Sequence, residues 1–363
     1  MHAEQVYLFR HALLRDAAHE LMLPGYRAAL HLLAVEVMEL IGAHNLPAVA
    51  AEIAMHLRAS GDATDRERKF ALMGAQHAAT IWDHDSVIRL YGRLTEIGDV
   101  SEVARSLQVL ASWHARFRAD KPAARQYLRK LLRLARQTSN PALAAQALQM
   151  ISTLSPAGTK LALKRMAFKM ASRAKAWLPA GLALGNMGMH YCRIGQPRRG
   201  ARILARAIVL HRRANNPAGI GYYLSQLAGA MSDLGRNEQA LAYARDAVKV
   251  LLAPELKVYL PNGLNALAQI SSKAGAIQEA LSALSQSRLV FQEMGLMPEA
   301  ARTDLQIALL ELRNNQPGQA RRTWQSGMKA LAGSTTDVPG AVESEMLKAC
   351  VSAGIAPLNQ GMS

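Results

Sequence analysis

The sequence predicts an all-α fold, a right-handed α-α superhelix in which antiparallel helix pairs stack as a solenoid. One pattern recurs four times at a spacing of 40 residues between Gly181 and about Leu331. A fixed period of this size is typical of stacked supersecondary units. Hydrophobic residues make up 50% of the chain but aromatic residues only 5%, which suits helices packed closely through small side chains.

Small residues recur at fixed places in each unit, where we expect two helix backbones to come close. The two series are Gly188, Ala228, Ala268, Ala308 and Gly200, Ala240, Ala280, Ala320. Each unit therefore predicts two helices, joined by a turn at Gly195, Gly235, Gly275 or Asn315. The four units are residues 181–220, 221–260, 261–300 and 301–331.

Composition also limits the class of protein. Two cysteines, Cys192 and Cys350, are too few for a disulfide framework or a zinc site, so a reducing compartment is expected. The sequence shows no apolar run of signal-peptide type, and no uncharged stretch reaches the roughly 18 apolar residues that span a bilayer. We therefore expect a cytoplasmic protein that does not enter a membrane.

Before the clean units, the apolar spacing predicts a series of helices. A helix ends at Pro24-Gly25, and a second one runs from Tyr26 to about Ile41 with Leu30, Leu33 and Val37 on one face. Hairpins follow at 51–61, 66–97 and 101–140, the last with Asp120-Lys121-Pro122 as its turn. Residues 141–176 continue in approximate register, with an apparent two-residue insertion near 155–158.

The order of residues at the start resembles the junction between the winged-helix module and the repeat arm of bacterial signal-transduction ATPases of the STAND type. The matching positions are Phe9, His11, Leu13, Arg15, Asp16, Ala17, Ala18, Arg27, Leu30 and His31. His19 stands where that family usually has tyrosine. The resemblance implies that residues 1–100 follow a missing or separate ATPase module, in a system for signal transduction or transcription control.

The four clean units resemble long tetratricopeptide repeats. The first supplies Met187, Gly188, Tyr191, Gly195, Gly200 and Ala207, and the second Leu227, Ala228, Met231, Gly235, Ala240 and Ala247. Ser271 and Glu311 replace the tyrosine in later units, and the usual early tryptophan is absent. We assign residues 101–331 to such repeats and 332–363 to a partly disordered tail with a short helix at 342–353.

No reaction is predicted, and we expect neither catalytic residues, nor a cofactor, nor a bound metal. The nearest match to a phosphate-binding loop, Gly195–Gly200, continues with Ala201-Arg202 and falls at a predicted helix turn. Trp82-Asp83-His84-Asp85 could be imagined as a metal cluster, but consecutive helix residues diverge, so an N-cap or turn role is favoured. His11 and His19 share a helical face without a carboxylate or cysteine partner, which favours packing or capping.

The resemblance to tetratricopeptide proteins implies a binding groove lined by the first helix of each unit. Its predicted lining is Asn186, Arg193, Tyr222, Ser225, Gln226, Asp233, Asn262, Asn265, Gln269, Lys273, Arg302, Gln306 and Arg313. Asn and Gln side chains can pair with the backbone of an extended peptide, and Arg or Lys can hold its carboxylates. The alternative is a solvated polar face that binds nothing.

A second candidate surface is strongly basic. The chain carries a net charge of +16, and between Lys121 and Ser232 it has 19 Lys and Arg but no Asp or Glu. Basic residues recur four apart or nearly so, which predicts stripes along second helices on an outer face. The members of this basic patch are Arg125, Arg129, Arg133, Arg165, Lys169, Arg173, Arg199, Arg202 and Arg206.

Two functions remain open at this point. The first is a scaffold or sensor arm that binds a protein or peptide and catalyses nothing. The second is a nucleic-acid-binding protein that uses the basic patch, although few aromatic residues interleave with its arginines. An acidic segment of a partner, a missing part of a longer chain or an arginine-rich proteome would also account for the charge. The partner, the output module and the oligomeric state are not encoded in recognisable form.

Overall fold

The computed structural model describes residues 21–61, 65–332 and 340–358, the last range without 353 and 355. Regular structure throughout these ranges is helical, which confirms the predicted fold class. The chain divides into two compact units, Met1–Leu154 and Ser155–Ser363. The predicted boundaries at residues 100 and 331 stay predictions. Phe9, His11 and His19 lie outside the described residues.

The first unit contains helices that pack consecutively as antiparallel neighbours. Their bounds are α1 Pro24–Ile41, α2 Leu46–Ser60, α3 Asp65–Thr80, α4 His84–Ile97, α5 Val100–Arg116, α6 Lys121–Gln137 and α7 Pro141–Leu154. A short 3₁₀ turn, Gly42–His44, joins α1 to α2. Their shared core includes Ile53, Phe70 and Leu94.

The second unit contains the four clean repeats, each a first and a second helix. The bounds are α8 Ala157–Arg173, α9 Trp177–Arg193, α10 Pro197–Arg213, α11 Pro217–Asp233, α12 Asn237–Leu251, α13 Leu260–Lys273, α14 Ile277–Glu293, α15 Met297–Arg313, α16 Pro317–Ala332 and α17 Gly340–Ser352. First helices are α9, α11, α13 and α15, and their last residues lie 40 positions apart. A 3₁₀ segment, Pro254–Tyr259, connects α12 to α13 without changing that register.

Polar caps explain where several helices begin. Asp83 accepts a hydrogen bond from the Ser86 amide, so the N-cap role favoured for the Trp82–Asp85 stretch is confirmed. Asp99 forms a capping box with Glu102 at the start of α5. Each such cap satisfies backbone N–H groups that the first helical turn leaves free and contributes about 1 kcal/mol.

The predicted turn residues adopt the left-handed conformation that ends each first helix. Gly195, Gly235 and Gly275 have φ of 76°, 71° and 81°, and Asn315 has φ of 58°. At the first of these turns, the Gln196 amide donates to the Tyr191 carbonyl at 2.9 Å, which closes the helix end. The Gly195–Gly200 stretch is therefore a repeat turn that leads into α10, as the sequence predicts.

The recurring small residues are buried where helices meet. Ala228, Ala240, Ala280, Ala308 and Ala320 are fully inaccessible. A Cβ at Gly200 would lie 2.2 Å from the Cys192 sulfur, so the first unit needs glycine where the others carry alanine. The predicted close approach of helix backbones is thus present in the structure.

Some details of the prediction are wrong. The spacing shortens near 155–158, because α7 and α9 begin 36 residues apart (Pro141 and Trp177), so no insertion is present. Helix α1 begins at Pro24, since a proline in the first turn lacks only an N–H that would be unsatisfied anyway. For the same reason Lys121 and Pro122 belong to the first turn of α6, with Asp120 as its N-cap.

The short helix expected in the tail is present as α17. It begins at Gly340, two residues before the predicted start, and ends at Ser352. Met346, Cys350 and Leu358 are buried in one cluster with Leu309 of α15 and Trp324 of α16. The described part of the tail is therefore packed onto the last repeat.

One buried histidine makes the stability of the second unit depend on pH. His211 is fully inaccessible, stacks on Tyr223 and has a pKa lowered by burial. As the pH falls, the His211 imidazole takes up a proton in the unfolded chain before it does so in the folded chain. The free energy of unfolding is therefore highest above the ordinary histidine pKa of about 6.5 and falls as the pH drops below it. We expect wild type to lose more stability between pH 7 and pH 5 than His211→Phe, measured by urea denaturation at each pH. Equal losses in the two proteins would contradict this assignment.

Candidate groove and basic sites

The predicted groove residues lie on the four first helices of the second unit. Twelve of the thirteen are exposed or half-buried, while neighbouring positions such as Leu184, Leu224, Leu264 and Leu305 are buried. Ser225 is the exception, because it is buried and its hydroxyl donates to the Gly221 carbonyl. The other twelve thus share the accessible face of their helices, which is the geometry that a groove needs. Whether that face binds a ligand stays a prediction.

On the part of this face formed by α9 and α11, burial and neighbouring positive charges shift the pKa values of ionisable side chains. The Lys164 ammonium of α8 donates to the Asn186 carbonyl at 3.0 Å, although Lys164 is only 7% exposed. Burial lowers the pKa of Lys164, and the charges of Arg193 and Lys160 lower it further. Burial also raises the pKa of Tyr222, against the charge of Arg193. Excess positive charge is therefore concentrated beside Asn186 and Arg193.

A cavity of about 390 Å³ lies between α13, α14 and α15. The backbones of α13 and α15 have fewer close contacts than those of α11 and α13. Its residues are Ala268, Gln269, Ser272, Lys273, Leu284, Gln306, Leu309, Leu310 and Arg313. Four predicted groove residues, Gln269, Lys273, Gln306 and Arg313, are thus brought together around an apolar floor.

The polar rim of the cavity carries two cations, Lys273 and Arg313. Arg313 donates to the Ser272 hydroxyl at 3.2 Å, and the Lys273 ammonium lies 3.9 Å from an Asp233 oxygen. Both members of the Lys273–Asp233 pair are more than half exposed, so this contact contributes little to stability. The Lys273 ammonium can therefore meet a carboxylate without first breaking a strong ion pair.

Further along α13 and α15, two groove residues hold buried polar atoms without partners. They are Asn265 Oδ1 and Arg302 Nε, neither of which has a hydrogen-bond partner among the described residues. Leaving a buried polar atom unpaired costs about 1–3 kcal/mol.

The basic patch is divided between the two units. Arg125, Arg129 and Arg133 lie on α6 of the first unit, and Arg125 donates to the Leu154 carbonyl at 2.7 Å. The other six lie on α8 and α10 and are all exposed. Among the described residues, no acid forms an ion pair with any of the nine.

Tyr191 brings two residues of the patch together. Arg165 of α8 donates to the Tyr191 hydroxyl at 2.9 Å, and the guanidinium of Arg199 lies over the same ring, 4.1 Å from its centroid. Tyr191 itself is 3% exposed. The sequence identified both arginines but not the tyrosine that positions them, because the repeat pattern accounts for Tyr191 as a packing residue.

Other kinds of site find no support in the described residues. They contain no group of three or more His, Cys, Asp or Glu placed to hold a metal ion. Over the same ranges, none of the helices combines the length and apolar character of a membrane span. Cys192 is a free, half-buried thiol, and burial and the charge of Asp233 raise its pKa, which disfavours the reactive thiolate form.

Comparison with known proteins supports the fold alone. No known protein family and no curated protein matches the sequence. The backbone is similar to that of a STAND protein with a tetratricopeptide repeat sensor from Pyrococcus horikoshii (TM-score 0.55, 12% identity), covering 87% of this chain and 49% of that one. The present chain thus spans about half the length of that protein.

Two further solved structures are similar along most of the chain. A Rap protein complexed with competence and sporulation factor has a TM-score of 0.55 at 11% identity, covering 90% of this chain and 92% of that one. Aspartyl phosphate phosphatase F from Bacillus subtilis has a TM-score of 0.54 at 12% identity, covering 82% and 76%. The predicted tetratricopeptide-like stacking of helix pairs is therefore confirmed.

Proposed function

We propose that this protein is a non-enzymatic scaffold or sensor arm that binds a protein or peptide in the groove of its second unit. The cavity beside Lys273 and Arg313 carries this proposal, because it combines an apolar floor with cations and amides at its rim. An extended peptide with an apolar side chain and a nearby carboxylate complements both features. The similar Rap protein is complexed with competence and sporulation factor, which supports a binding role for stacked helix pairs of this kind.

We further propose that the arm serves a bacterial signal-transduction or transcription-control system, with an ATPase, kinase or cyclase module on the same or a neighbouring polypeptide. The resemblance of Phe9–His31 to a STAND junction and the similarity to a STAND protein support this setting. Sequencing the neighbouring genes tests it directly. A genomic neighbourhood with no signalling or regulatory gene would count against this setting.

Binding can be tested with a library of immobilised dodecapeptides that vary in acidic and apolar side chains. We expect peptides carrying both to be retained, and Lys273→Glu with Arg313→Glu to lose them by about tenfold or more, since two charge-assisted contacts become repulsive. Arg202→Glu with Arg206→Glu is the matched control, because it makes the same charge change outside the groove. Equal losses in both double variants would show that binding depends on net charge and not on the cavity.

A second test removes the unpartnered polar atoms. Asn265→Ala combined with Arg302→Ala is expected to weaken retention of the same peptides without lowering helical content, since both side chains are half-buried and each holds an unpaired polar atom. Peptide affinity is measured by fluorescence anisotropy and helicity by circular dichroism. Unchanged affinity in the double variant would exclude this part of α13 and α15 from the groove.

A further inference from the structure

The repeat register allows one site to be compared with its own copy elsewhere in the chain. Arg165, Tyr191 and Arg199 have their counterparts exactly two repeats later at Arg245, Ser271 and Glu279, each 80 residues on. Both triads occupy the same positions in their helices, namely the ninth residue of one second helix, the third from the end of a first helix and the third of the next second helix. The repeat thus places the three residues at equivalent positions twice, although a 3₁₀ segment separates α12 from α13.

In the later triad, the arginine is neutralised within the chain. Arg245 binds the Glu279 carboxylate through two hydrogen bonds, Nε to Oε1 at 2.7 Å and Nη2 to Oε2 at 3.0 Å. The Ser271 hydroxyl donates to the same carboxylate at 2.9 Å. The hydrogen bonds from Arg245 lower the pKa of Glu279 most, and the bond from Ser271 lowers it further. An oxyanion therefore lies beside the arginine at this place in the repeat.

In the earlier triad, that oxyanion is replaced by a second cation. Arg199 stands where the later repeat has Glu279, and no described acid pairs with Arg165 or Arg199. Tyr191 nevertheless fixes both guanidinium groups, one at its hydroxyl and one over its ring. The Arg199 guanidinium forms no side-chain hydrogen bond with another described residue, so its N–H groups stay available for an anion.

We infer that Arg165 and Arg199 bind an external oxyanion of the phosphoryl class beside Tyr191. Two guanidinium cations carry two positive charges, which a single carboxylate only half neutralises, whereas a phosphoryl group presents three terminal oxygens and up to two negative charges. The ligand can be a free phosphate ester or a phosphorylated side chain of a partner. This site lies on α8, α9 and α10 and does not depend on the proposed peptide groove.

Equilibrium dialysis of the full chain against radiolabelled inorganic phosphate at low ionic strength tests the inference. We expect Arg199→Glu to weaken phosphate binding by about tenfold or more, because it supplies the carboxylate that Glu279 provides in the later repeat. Arg202→Glu is the matched control, since it changes the same charge on the same helix without contacting Tyr191. We expect it to bind nearly as wild type does, and circular dichroism should show unchanged helicity in both variants.

Comparing ligands and variants in the same assay identifies the source of the phosphoryl group and can contradict the proposed site. Tighter binding of a phosphoserine peptide than of inorganic phosphate would support a partner's side chain, and equal binding would support a free ester. No phosphate retention by wild type would overturn the site. Equal weakening of phosphate binding in Arg199→Glu and Arg202→Glu would also overturn the site. The same holds if wild type captures a single-stranded oligonucleotide and both variants weaken that capture equally. Each result would indicate a diffuse surface for polyanions.

Discussion

Arg93→Met is expected to lower the free energy of unfolding of the first unit by about 3–5 kcal/mol, because it leaves the Glu67 carboxylate buried and unpaired. Glu67 is 1% exposed and accepts two hydrogen bonds from Arg93, Nε to Oε1 at 2.7 Å and Nη2 to Oε2 at 3.0 Å. These bonds raise the pKa of Arg93. Urea denaturation measures the loss, and hydrogen exchange in α3 and α4 locates it.

The same arginine provides its own control. Its Nη1 also donates to Glu96 at 2.8 Å, but the Glu96 side chain is 60% exposed. Glu96→Gln should therefore cost no more than about 1 kcal/mol. Adding Glu67→Met to Arg93→Met should restore much of the lost stability, since well-packed apolar residues can replace a buried ion pair. A double variant as unstable as Arg93→Met alone would contradict the unpaired-charge explanation.

Gly74→Ala is expected to destabilise the first unit by about 1–3 kcal/mol through overpacking. A Cβ at Gly74 would lie 2.7 Å from the Ala51 nitrogen and 2.9 Å from its Cα. These are backbone atoms of α2, so α2 and α3 must move apart to accept one methyl group. Thermal and urea denaturation both report the change.

Gly92→Ala is the matched control for this prediction. Gly92 lies inside α4, and a Cβ there would meet no other atom within 4 Å. Alanine should therefore stabilise the protein by about 0.5–1 kcal/mol, because it has less conformational freedom to lose on folding. If both substitutions stabilised the unit, the close approach of α2 and α3 at Gly74 would be disproved.

The fold was predictable because its signals are local and repeated. Gly195, Gly235 and Gly275 mark turns wherever they occur, and the buried alanines at 40-residue spacing mark helix contacts. The details that the sequence analysis missed, such as where a helix begins, depend on packing between neighbouring segments, which a spacing pattern does not record. Proline can sit inside the first turn of a helix or before it, and only packing decides which of these Pro24 and Pro122 adopt.

The candidate sites were predictable to a lesser degree. Amphipathic spacing placed Gln269, Lys273, Gln306 and Arg313 on accessible helix faces, but the cavity that joins them lies between three helices. Its presence depends on how those helices pack, which the spacing of residue types within one helix does not record. The contact of Arg165 and Arg199 with Tyr191 likewise required coordinates, because the three residues belong to three helices.

The two triads at Tyr191 and Ser271 show how a solenoid can change its chemistry without changing its frame. The repeat register is identical at both places. An arginine in place of the glutamate therefore replaces an internal ion pair with two cations that can bind an external anion. Recombination between repeats would move such an anion-binding position to a new place in the solenoid. New binding specificities can therefore arise by exchanging repeats, without a new fold.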